Sequence, residues 1–147
     1  MSDAYVKTYK PLLIWFCAFM AVLAALPLAL GWFLPENILT PAMLFCVYLG
    51  LLALFILIHR GGYVYWINGG PSFEEAKEAD ESLRRAYAWA HLKRFLFSGA
   101  ALIPYLTLSS VFHWPTWLDI IIFGAAVISA ALSTAKIRFA PPQEETK

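Results

Sequence analysis

The sequence predicts an all-α polytopic membrane protein: four transmembrane helices in an antiparallel bundle, with an amphipathic helix in the loop between the second and third. Three observations predict it. Four apolar stretches, Pro11 to Leu34, Ile38 to His59, Phe95 to Trp114 and Trp117 to Ala135, take up most of the 147 residues. Each holds roughly 19 to 24 residues, which at about 1.5 Å rise per residue matches the ~30 Å hydrocarbon core of a bilayer. The composition, 61% hydrophobic and 14% charged with a mean hydropathy of +0.64, lies outside the usual soluble range. Finally, every Lys and Arg falls before the first stretch, between the second and third, or after the fourth.

That last pattern orients the chain, because positive residues in short flanking loops stay in the cytoplasm. Both termini and the 60–94 loop are expected on the cytoplasmic side of the cell membrane, with two tight turns outside. The longest polar interval is too short to fold alone, so residues 1–147 read as one membrane domain. A formal net charge of +1 gives no reason to expect nucleic acid.

Span one follows Lys7 and Lys10, and its apolar run is too long for a cleaved signal's core of about 7 to 15 residues. Pro27 within it frees the carbonyl of Leu23. Thr40 and Pro41 read as the N-cap and first position of span two. Pro104 in span three frees the carbonyl of Ala100, for which Thr107, Ser109 and Ser110 are the nearest hydroxyl partners. Thr116 and Asp119 fit a capping box at the start of span four. Cys17 and Cys46 differ in depth by roughly 10 Å, beyond disulfide reach. Trp32, Trp114 and Trp117 fall toward the outer interface and Trp15, Trp66 and Trp89 toward the cytoplasmic one, so all six tryptophans read as interfacial anchors.

The loop is more complex than anchoring requires. Gly61-Gly62 and Gly69-Gly70 bracket an aromatic segment, Tyr63 to Trp66, that can bend at both ends. Ser72 and Glu75 form a capping box that starts a helix near residue 73. Asp80 with Arg84 and Glu81 with Arg85 are acid-before-base pairs at i,i+4, and Phe73, Ala76, Leu83, Ala86, Tyr87 and Ala90 make a weak apolar face. No Gly or Pro separates this helix from span three; it either runs on past Arg94 or bends near His91. Residues from 139 onward are expected to be an unstructured tail.

For function, the expected role is a non-catalytic subunit or accessory factor of a membrane complex, whose partners are the lipid bilayer and another membrane protein or a second copy. The candidate partner surface is Phe73, Glu78, Glu81, Leu83, Arg84 and Arg85 on the loop helix, with the small-residue face Ala125, Ser129 and Ser133 of span four. Two alternatives stay open. One is an oligomeric small-molecule transporter or channel built on Pro-kinked helices, against which stands the scarcity of intramembrane ionisable groups. The other is a membrane enzyme using an interfacial polar cluster of His59, Arg60, Tyr63, Tyr65, Asn68 and His91 beside Glu74 and Glu75, although no catalytic spacing accompanies these residue types. His59 and His91 lie at similar depth, but haem would need both imidazoles to face one plane. No cofactor and no metal is expected.

Overall fold

A computed structural model describes residues 5–140. The chain forms α1 (Lys10–Leu30), α2 (Glu36–Gly61), a 3-10 turn (Val64–Trp66), α3 (Phe73–Glu78), α4 (Glu81–Phe112) and α5 (Thr116–Thr134). It is all-helical, and α1, α2, α4 and α5 are long and apolar enough to cross a membrane. Short turns join α1 to α2 and α4 to α5, so neighbours run antiparallel. Every described Lys and Arg therefore lies at one end of the bundle, called here the basic end.

The body is α2, α4 and α5, each touching the other two, while α1 rests chiefly on α2. The closest seam is α2 against α4. Tyr48 of α2 is fully buried, and its ring lies where Gly99 of α4 has no side chain; a Cβ there would meet Tyr48 Cε1 at 2.6 Å. The Tyr48 hydroxyl donates to the Phe95 carbonyl at 2.5 Å, using that oxygen's second lone pair. Below it Phe55 stacks on Phe95 at 4.4 Å. On α5, Phe123 meets the Tyr48 ring edge-on at 6.3 Å. The α1 contact repeats the device, since Gly50 of α2 leaves room for the Phe19 ring. Small residues matter here because lipid offers no hydrophobic drive to bring helices together.

Several local expectations are corrected. Helix α2 begins at Glu36 after an extended Pro35, and Pro41 lies inside it; Pro35 ends the preceding turn, and Glu36 suits the positive helix terminus. The hydroxyls near Pro104 serve other acceptors: Thr107 donates to the Ile103 carbonyl, Ser110 to the Leu106 carbonyl, and Ser109 to the Asp119 carboxylate. The loop helix is two helices. Its Ser72–Glu75 capping box is present, but the backbone turns extended at Ala79 and Asp80, with ψ of 151° and 150°. Arg84 explains the break, because its guanidinium donates to the carbonyls of Ala76 (2.9 Å) and Ala79. A continuous helix would have used those carbonyls itself. Of the two expected ion pairs only Glu81–Arg85 forms, at 2.6 Å and solvent-exposed.

From Glu81 the helix runs unbroken into the span, so α4 extends beyond the apolar stretch that starts at Phe95 by roughly 20 Å at the basic end. Of the tail expected from 139 onward, Phe139 is placed on the body of the protein. Ile137 and Phe139 pack on the buried cluster around Tyr87 and Ala88, whereas 141–147 lie outside the described residues. Replacing Gly99 with Leu should lower the thermal midpoint of the detergent-solubilised protein, through overpacking worth about 1–3 kcal/mol. Gly124, whose added Cβ would meet nothing within 4 Å, is the control, and Gly124→Leu should leave the midpoint unchanged.

Candidate functional site

At the basic end a cap is built from three separate pieces of chain. Gly62 ends α2 in the left-handed region (φ 64°), which turns the backbone into the 3-10 segment and lays Tyr63 flat on Trp66, with ring centroids 4.3 Å apart. The stretch before α1 crosses over this platform. Tyr65 OH and Trp66 Nε1 both donate to the Thr8 carbonyl, at 2.8 and 3.2 Å, and the Thr8 amide donates back to Tyr65 OH at 3.0 Å. Tyr5 OH donates to the Gly62 carbonyl at 2.6 Å.

The third piece is α3 with the start of α4. Phe73 stacks on Tyr5 at 5.6 Å, and the Arg84 guanidinium sits 4.2 Å from the Tyr5 ring centroid, a cation–π contact. Val64 and Ala76 are fully buried beneath. Burial pushes the Tyr5 phenol up to about 12 although the Arg84 charge pulls it down.

These contacts decide where the candidate polar residues go. Tyr63 and Tyr65 hold the cap. His59 shares a hydrogen bond with the Arg85 carbonyl at 3.2 Å and faces Trp89 at 5.7 Å. His91 is buried instead, its Nδ1 3.0 Å from the Tyr87 carbonyl and its ring 4.5 Å from that of Tyr87. Arg60 lines a groove between α1 and α2, and Asn68 is exposed on the loop. The two histidines thus have separate partners. Glu75, the second half of the capping box, is held below the usual carboxylate range by the Ser72 amide. No group of three His, Cys, Asp or Glu fit to hold a metal occurs among the described residues.

The candidate partner surface is likewise divided. Phe73 and Arg84 turn into the cap and Leu83 is half-buried, while Glu78, Glu81 and Arg85 face outward. On α5, Ala125 is exposed, and Ser129 and Ser133 line a groove against α4.

One group was assigned wrongly from sequence. Asp119 does not cap α5, whose N-cap is Pro115 with no side-chain bond. It is 1% exposed and faces α4 from the first turn of the span. There Ser109 Oγ donates to its Oδ1 at 2.6 Å and Tyr105 OH at 3.1 Å. Tyr105 also lines the α4–α5 groove, a space of about 430 Å³ with Ser98, Ser129 and Ser133 along it and Arg94 at its basic end. A row of hydroxyls thus runs along the groove toward a buried carboxylate. The available signal was the i,i+4 pair Tyr105 and Ser109 on α4, which presents two hydroxyls on one face.

Comparison with known proteins adds no assignment. No family model, curated protein or solved structure matches the chain. At the end opposite the cap, Asn37 of α2 reaches the His113 ring at the left-handed close of α4, so the two turns there are tied together.

Three outcomes follow from this geometry. Arg84→Met should leave the Ala76 and Ala79 carbonyls without their donor and speed limited proteolysis between Ile67 and Glu81 several-fold. The Tyr5 phenol is raised from 10.0 to about 12, so its contribution is complete below pH 10 and is lost as pH rises through the folded value. Protection of the Lys7–Thr8 bond from trypsin should therefore stay flat from about pH 7 to about 9, and Tyr5→Phe should reduce it throughout. At the other site, Asp119→Asn keeps an acceptor for Ser109 and Tyr105, whereas Asp119→Leu strands both hydroxyls. The Leu variant should lose about 1–3 kcal/mol more than the Asn variant in thermal or denaturant unfolding.

Proposed function

We propose that this protein is a non-catalytic subunit or accessory factor of a complex in the cell membrane, with both termini and the cap on the cytoplasmic side. The observation that carries this reading is α1. None of its 21 residues is buried by the described chain, although the other three long helices pack closely on one another. An apolar helix held at the edge of a body offers a long face to another helix. The exposed Glu78, Glu81, Arg85 and Trp89 would extend that contact beyond the lipid.

The polar side chains of the basic end support the same reading, since Tyr5, Tyr65, Trp66 and Arg84 all bind backbone or rings of this chain. The gathering of Lys and Arg at that end supports the cytoplasmic placement.

A second reading is favoured by Asp119. Carboxylates buried within spans mark ion and proton pathways, and this one adjoins a hydroxyl-lined groove. Under that reading the protein is a carrier, and proteoliposomes should show a cation- or proton-linked flux that Asp119→Asn abolishes.

Gentle detergent purification with mass measurement separates the two. The subunit reading expects a particle well above the 16.5 kDa chain that holds a second membrane protein, with recovery of that protein reduced several-fold by Glu78→Lys with Glu81→Lys. A lone chain together with Asp119-dependent flux would replace it with the carrier.

A further inference from the structure

We propose that the groove between α1 and α2 at the basic end binds one anionic phospholipid, its phosphate held by Lys10 and Arg60 and an acyl chain lying along Ile14, Ile56 and Leu57. The groove has a volume of about 620 Å³ and is lined by those five residues with Pro11, Trp15 and Ala53. Its two ends differ in chemistry. Lys10 is the first residue of α1 and Arg60 the last but one of α2, so both cations stand where the antiparallel pair leaves the lipid. Ile14 lies one turn deeper than Lys10, and Ile56 and Leu57 one turn deeper than Arg60. A charged mouth above apolar walls fits an amphiphile whose headgroup and chain are joined in that order.

Charge decides the headgroup. Among the described residues the one ion pair is Glu81–Arg85, so Lys10 and Arg60 face the groove without a carboxylate partner. No Asp or Glu lines it. Other cations of this end have work elsewhere: Arg84 sits on Tyr5, and Lys7 and Lys93 lie 5.8 and 5.9 Å from the rings of Phe73 and Trp89. A zwitterionic lipid would bring its own ammonium beside two cations, whereas an anionic one brings only the phosphate charge. Trp15 in the wall is placed as tryptophans are at the headgroup boundary. A soluble anion would leave the apolar walls unused, and a protein helix would have to bring an acid to the mouth.

The site also accounts for how α1 holds its place. Within the span Phe19 of α1 seats in the Gly50 notch of α2, and a lipid seated one turn nearer the basic end would bridge the two helices there.

Native mass spectrometry of the full-length protein, titrated with phosphatidylglycerol and phosphatidylcholine, tests the proposal. The wild-type protein should retain one phosphatidylglycerol in marked preference to phosphatidylcholine. Lys10→Gln with Arg60→Gln should weaken that retention about 10- to 30-fold. Lys77→Gln with Lys93→Gln removes the same charge elsewhere and should leave it unchanged. Ala53→Phe fills the groove without altering charge and should also abolish retention, so the outcome does not depend on the charge variant's stability. Equal retention of the two lipids, an equal loss in the control pair, or displacement of the lipid by inorganic phosphate would overturn the assignment.

Discussion

The seating of Tyr48 on Gly99 is the interaction from which the rest of this bundle is arranged. In water, four apolar helices would be driven together by burial; in lipid they gain nothing by leaving the acyl chains, so close packing and internal hydrogen bonds must supply the order. Tyr48 supplies both. Its ring enters the one place where α4 has no side chain, and its hydroxyl finds an acceptor in the Phe95 carbonyl. Helix α5 is fixed against the same ring through Phe123, and against α4 through Ser98, whose hydroxyl donates to the Ala126 carbonyl at 3.0 Å. The three helices thereby share one centre, and α1 is left to the notch at Gly50.

The ends of the bundle solve a different problem. Where helices emerge, backbone groups must be satisfied without regular structure, and this chain does so by crossing segments that are far apart in sequence. Arg84 is the organising side chain of the basic end. It reaches back along its own polypeptide to the Ala76 and Ala79 carbonyls, ends α3, and places its guanidinium over the Tyr5 ring. Its Nε is buried without an acceptor, and the Tyr5 ring face offsets that loss as a partner for the cation. The same residue thus shapes the loop and holds the segment before α1.

What was legible in the sequence follows from how far each cause reaches. The four spans could be read because the bilayer fixes their length and composition, independent of any partner. The Ser72–Glu75 capping box could be read because both halves lie within one turn. The capping box assigned to Thr116 and Asp119 has the same local spacing, yet its acid binds Ser109 and Tyr105 on another helix, 10 and 14 residues earlier. The break at Ala79 carries no Gly or Pro to announce it, since Arg84 stabilises it from the following helix. The cap itself joins residues 57 and 58 positions apart, a separation at which spacing carries no signal. For the same reason the interfacial cluster expected from His59, Tyr63, Tyr65 and His91 is divided among separate partners: residue type and depth are visible in sequence, but the direction of a side chain around its helix axis is not.

Helix α1 shows how these layers act together. Besides the short turn that joins it to α2, it meets the body at the Phe19 notch within the span and at the Tyr5 and Thr8 contacts beyond its basic end. Two points fix both the position of a rod and its tilt, so the segment before α1 and the α1–α2 seam cannot shift independently. Loosening the crossing segment would leave α1 held by the Phe19 notch and by its far-end turn into α2, so that its basic end could swing. The groove mouth, formed by Lys10 at the pivoting end and Arg60 on the fixed helix, would then widen or close with it. The spacing of those two cations is therefore set by aromatic contacts outside the membrane, which makes the cap a determinant of what the groove can hold.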